Sequence, residues 1–164
     1  MMQLRLVAGS DEWVKGLCSE LSATIKILGI KSVDKPGEVA HFVDITARAA
    51  PTGAIRESLG HSSSVLSSEL TDLPGERTMG VVVSKGCKVC DSLINSNSAS
   101  FISSAATSED CLMGYKIFLN SDGVPVLLNK LSKQRVAYKV EEISPISADY
   151  KLTARQLAIL KSAM

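Results

Sequence analysis

The sequence predicts an α+β sandwich, with helices on one face of an antiparallel sheet. Three observations carry this. Short stretches alternate apolar and polar residues, as half-buried strands do. Between Glu38 and Ile143 the order reads strand–helix–strand, a long insertion, then strand–helix–strand. Finally, an apolar share of 45% is enough for a packed core, while aromatics at 4% leave that core to Val, Ile, Leu and Ala.

Gln3 to Ala8 sets Leu4, Leu6 and Ala8 against Gln3, Arg5 and Val7, a short strand. Ser10 is a good N-cap, and Asp11 and Glu12 suit the positive end of a helix. Trp13, Val14, Leu17, Cys18, Leu21, Ile25 and Leu28 then recur at helical spacing, and Gly29 fits the stop. Within that stripe Cys18 reads as a buried, inert thiol. Glu38 to Ala47 predicts a second strand, with Val39, His41, Val43 and Ile45 on one face. Pro51 opens a helix running to about Leu70, weakened by Gly60 and the serines 62–64, and ended by Leu73-Pro74-Gly75.

Met79 to Ser84 is a buried-type strand. The segment from Lys85 to Cys111 reads as a Ser- and Asn-rich loop carrying three of the four cysteines. Leu112 to Asn120 is a strand closed by the turn Ser121-Asp122-Gly123. A helix through Val124, Leu127, Leu128 and Leu131 and a strand through Val136, Tyr138, Val140 and Ile143 follow, and Pro145 breaks the last. This order is that of a ferredoxin-like or ACT-like sandwich with an extra N-terminal strand and helix and a long Cys-containing loop. The division expected is a sensing and dimerisation domain over 1–146, a linker over 147–151, and the start of a second domain over 152–164.

A net charge of +1 is no basic footprint, so these residues are not expected to hold nucleic acid strongly by themselves. The N-terminus lacks a basic region followed by an apolar run, and no apolar stretch is long enough for a membrane helix. The expectation is a cytoplasmic chain with no membrane partner, in a reducing compartment where Cys pairs serve metals or redox chemistry more often than structural disulfides.

Cys87-Lys88-Val89-Cys90, with Cys111 further on, is the one chemically loaded pattern. Three readings stand side by side. Cys87, Cys90 and Cys111 can supply three thiolates to a thiophilic metal ion, Zn or Cu, with a fourth ligand from His41, His61, Asp91, Asp110 or a partner subunit. Alternatively the cysteines are redox-active: strand, turn, CxxC and short helix resemble the placement of the active pair in thioredoxin and glutaredoxin, where a helix N-terminus makes a thiol reactive, or they form a redox switch that alters the pairing of a regulator. In the third reading these are ordinary loop residues. No GxGxxG, no GxxxxGK[ST] and no nucleophile-elbow pattern occurs, so an enzyme is not expected and no catalytic residue is assigned. His41 reads as a satisfied core histidine and His61 as solvated. Lys130, Lys133, Arg135 and Lys139 form a modest basic patch, most simply a helix surface.

The C-terminal stretch opens a helix: Thr153 caps it and Gln156 reaches back to complete a capping box. Leu152, Thr153, Arg155, Gln156, Leu160 and Ala163 resemble the first helix of the helix-turn-helix domain in the bacterio-opsin-activator-like family of archaeal transcription regulators. That resemblance implies an N-terminal sensing domain, pairing as a homodimer, joined to a DNA-reading domain cut off after Met164. DNA would then be contacted only through the missing C-terminal domain, and the partners of this half would be a second copy and a small effector or metal. The family's DNA-binding positions have no counterpart here. The rival function is a thiol-active oxidoreductase of thioredoxin type or a metal-carrying protein.

Overall fold

The structure, a computed structural model, describes residues 1–48, 50–51, 53–86, 88–94, 101–107, 109–146, 158–159 and 162. Up to residue 146 the described residues form an α+β fold built on one eight-stranded, wholly antiparallel sheet, with four helices among them. In chain order the elements are β1 (Met2–Gly9), α1 (Glu12–Leu21), β2 (Thr24–Ser32), β3 (Glu38–Thr46), α2 (Ala54–His61) and β4 (Val65–Leu73). Then come β5 (Arg77–Lys85), α3 (Lys88–Ile94), β6 (Phe101–Thr107), β7 (Leu112–Leu119), α4 (Gly123–Lys133) and β8 (Tyr138–Pro145). No helix among the described residues is long and apolar enough to cross a membrane.

This is one order of elements, β-α-β-β-α-β, occurring twice. The sheet runs β4-β5-β3-β2-β6-β7-β1-β8, so each repeat's first strand lies in the other repeat's half. β5 separates β4 from β3, and β1 separates β8 from β7. The registers agree with an approximate twofold through the β2–β6 seam. Ala8 faces Met113 as Ser84 faces Val39, and the β2–β3 and β6–β7 ladders both slip at a bulge, between Ile27 and Gly29 and between Ile102 and Ser104. α1 packs beside α2 and α3 beside α4, the same pairing in both repeats. Under this correspondence His41 on β3 matches Tyr115 on β7.

Alternation places Leu4, Leu6 and Ala8, then Ile25 and Ile27, then Val39, His41, Val43 and Ile45, and Met113, Tyr115, Ile117 and Leu119 on the buried face. Trp13, Val14 and Leu17 from α1, Leu59 from α2, Val89 and Leu93 from α3 and Leu127 and Leu131 from α4 complete a single core. The opposite sheet face is open and carries Arg5, Leu28 and Phe42.

The sandwich expectation is corrected in extent. In place of one unit with an N-terminal extension and a loop, two repeats interleave. The first helix does not reach Leu28: it ends at Leu21, with Ser22 in a left-handed conformation (φ 49), and Thr24 to Ser32 is a strand. Likewise the helix expected to run to Leu70 ends at His61, and Val65 to Leu73 pairs with β5. Part of the loop from Lys85 to Cys111 is the helix α3 and the strand β6. The linker at 147–151 lies outside the described residues, and so does most of the segment 152–164, including Thr153, Arg155 and Gln156.

Gly80 shows how tight the sheet is. It sits in β5 between Val43 and Leu70, with φ +158, and a Cβ there would overlap the carbonyl of Glu69. Gly80→Ala is expected to cost roughly 2 kcal/mol, as overpacked sites do, because backbone rather than a flexible side chain must yield. A urea melt that matches wild type would contradict this packing.

Candidate functional site

The two connections that carry each repeat's first strand into its first helix, around Ser10 and Gly86, line one cleft. Beneath it lies a buried polar cluster. His41 is 1% exposed, and its ring meets Trp13 edge-on at 5.4 Å. Its Nδ1 lies 3.3 Å from the Val82 carbonyl, and its Nε2 lies 3.5 Å from Cys90 Sγ and 4.0 Å from Asp11 Oδ2. The cluster therefore joins β3, α3, β5 and the start of α1.

A carbonyl can only accept, so Nδ1 donates to Val82 and the neutral ring presents a bare Nε2. Burial outweighs that bond and pushes the His41 pKa down to about 4. Asp11 moves the other way, to about 6. Burial is the main cause, Asp91 adds to it, and the Trp13 indole and Lys15 oppose it. The Trp13 N–H lies on the Asp11 side without meeting an acceptor at full hydrogen-bond geometry. Because His41 is neutral above about 4 and Asp11 neutral below about 6, the two are never both largely charged, and their 4.0 Å approach is not a salt bridge. Burial, with Asp11 nearby, raises the Tyr115 phenol as well.

The cysteines depart from the expectation. Cys18 is bonded to Cys111, with Cα atoms 5.7 Å apart and 93 positions between them in the chain. This corrects the reading of Cys18 as an unreacted thiol: α1 brings it to the start of β7, where Ser10 Oγ also donates to the Cys111 carbonyl at 2.7 Å. Cys90 is disulfide-bonded too, and no described cysteine is free. Of the three residues expected to hold Zn or Cu, Cys111 and Cys90 are thus oxidised here and Cys87 lies outside the described residues. A sulfur in a disulfide has no thiolate to give a metal. Among the described residues no group of three His, Cys, Asp or Glu side chains converges as a ligand set. His61 is exposed, as expected, and His41 is the satisfied core histidine expected of it.

Sequence reasoning missed Asp11, Trp13 and Tyr115 as site residues. Asp11 and Trp13 were absorbed by a helix start and an apolar stripe, and Tyr115 by a strand. The only available signal was the lone polar His41 on an apolar face. No protein-family model matches this sequence, and no curated protein sequence matches it significantly.

Proposed function

We propose that this chain is the sensing domain of a transcription regulator, without enzymatic activity, and that its signal is the redox state of the disulfide at Cys90. The regulator part rests on the helix-turn-helix resemblance of Leu152 to Ala163. Each half keeps the ferredoxin-like strand order 4-1-3-2 once the exchanged first strands are counted in, the order of ACT-like effector domains. The pairing that a single such unit needs from a second copy is then already made within one chain. Homodimerisation would serve only to space two DNA-reading heads.

One observation carries the redox reading: Cys90, 1% exposed and disulfide-bonded at the first turn of α3, faces the bare Nε2 of His41. In the oxidised state neither atom carries a proton, so the 3.5 Å contact is not a hydrogen bond. A dithiol that opens the disulfide gives up two electrons and two protons and becomes a disulfide itself. Cys90 then carries an S–H that can donate to Nε2. Reduction thus changes a contact at the point where α1, α3 and β3 meet, and α1 shares that point through Asp11 and Trp13.

The test follows the imidazole nitrogens of His41 by NMR during anaerobic titration with a dithiol. The Nε2 resonance is expected to move with the same midpoint as the appearance of a Cys90 thiol, and to stay fixed in Cys90→Ala. A His41 signal indifferent to reduction would sink the coupling. The regulator part is tested on the longest natural chain that contains this sequence, whose affinity for its own upstream DNA should differ between the two redox states. Absence of any sequence-specific DNA binding by that chain would remove it.

A further inference from the structure

The cleft above the buried cluster has a volume of about 370 Å³, and the two repeats and the α4–β8 turn all line it. Lys15 from α1, Lys88 from α3 and Arg135 from the turn after α4 surround its mouth, and Tyr115 lies at its floor. We propose that this cleft binds a small organic dianion, a phosphate ester or a dicarboxylate. The proposal does not rest on the regulator reading, because binding is measured on this chain without DNA.

Three observations converge. None of the three cations takes part in an ion pair with a carboxylate at bonding distance among the described residues, although paired arginines occur elsewhere: Arg77 with Asp44, and Arg56 with Asp72. The one carboxylate in the described lining is Asp11, within electrostatic reach of Lys15, so three cations outnumber it and the field favours an anion. Second, Tyr115 is 5% exposed and lines the cleft, and burial holds its phenol protonated, so that the hydroxyl is a donor there. A hydroxyl that lines a cleft can donate to a ligand oxygen there. Its match in the other repeat, His41, has its partner within the protein. So the two equivalent positions differ: His41 bonds within the protein, and Tyr115 lines the cleft.

Third, Arg135 holds a left-handed backbone, φ 56, at the position after the C-cap of α4. There its N–H bonds to the Ser132 carbonyl and that of Val136 to Leu131. That position belongs to glycine, which adopts the conformation without strain. The chain keeps an arginine there instead, and that arginine lines the cleft. Val89 and Val136 supply an apolar wall, which suits an organic anion better than a bare ion.

The turn also supplies a clean variant. Arg135→Gly removes the charge while relieving the backbone, so folding is preserved or improved where binding is lost. Isothermal titration of the whole chain at low ionic strength with ribose 5-phosphate, succinate and inorganic phosphate reads the site. Saturable one-to-one binding of ribose 5-phosphate or of succinate is expected, and whichever binds identifies the phosphate or the carboxylate source. The dissociation constant should rise about tenfold in Arg135→Gly, with no fall in melting temperature. Tyr115→Phe should weaken binding as well while leaving the fold intact. Binding of neither organic anion overturns the site. So does unchanged affinity in Arg135→Gly, and so does binding of inorganic phosphate alone with no organic anion competing for it.

Discussion

Replacing Cys18 and Cys111 together by serine is expected to lower the free energy of unfolding by about 4–5 kcal/mol, the loop-closure value for a bridge spanning some 93 residues. The crosslink joins α1 to the start of β7. It therefore ties the first repeat's helix to the second repeat's sheet, and its loss frees nearly the whole intervening chain in the unfolded state. Against a typical total of about 5–15 kcal/mol, that leaves a protein near the edge of folding at moderate temperature. Both cysteines must be changed together, because a single serine would leave a thiol able to attack the Cys90 disulfide. Urea denaturation of the double variant is the measurement, paired with wild type in the presence and absence of a reductant. Equal midpoints for the double variant and oxidised wild type would show that the bridge does not constrain the chain.

That bridge also marks where sequence reading stops. Four cysteines allow three pairings, and nothing local connects Cys18 to Cys111. The strands β1, β3, β7 and β8, and β5 as a buried-type run, fall where the pattern puts them, and so does α4. The missed strands were hidden for different reasons. In β4, Leu66 and Leu70 are four apart, a spacing that fits a helix face and, being even, one face of a strand as well. In β2, Ile25 and Leu28 continued the stripe of α1. The real break at Ser22 uses a left-handed serine and not the glycine that announces a helix end. Strand β6 is Phe-Ile-Ser-Ser-Ala-Ala-Thr, whose small residues carry little apolar signal. With three strands hidden, the doubling of the β-α-β-β-α-β unit was hidden too. It survives in register and bulge position but not in residue identity: His41 stands where the other repeat has Tyr115. The CxxC was legible as chemistry, but its setting was not. Asp11 and Trp13 reach Cys90's neighbour His41 only because the first strands are exchanged.

The pair of buried His41 and part-buried Asp11 gives the second large effect, and the signs are opposite. His41 has its pKa lowered from 6.5 to about 4 by burial, so its contribution to stability is full above 6.5 and is lost as pH falls through about 4. Asp11 has its pKa raised from 3.8 to about 6. Its contribution is full below 3.8 and is lost as pH rises through about 6. At about 1.4 kcal/mol per unit, each is worth on the order of 3 kcal/mol at most. Between pH 4 and 6.5 the two oppose each other, so wild-type stability should change little from these groups. Asp11→Asn keeps the shape and removes the charge. It is expected to stabilise the protein by up to about 3 kcal/mol at pH 7.5, where wild type holds a largely desolvated carboxylate that Lys15 only partly offsets. That advantage should shrink steadily on acidification and vanish near pH 4, because the variant retains only the acid-sensitive histidine. His41→Gln should behave in the reverse sense, gaining stability as pH falls from 6 to 4 while Asp11 takes up its proton. Chemical denaturation of the three proteins at pH 4, 5, 6 and 7.5 separates these curves. An Asp11→Asn variant whose advantage does not change with pH would mean that Asp11 is ordinarily solvated, and that the cluster beneath the cleft is not the closed, low-dielectric site its burial describes.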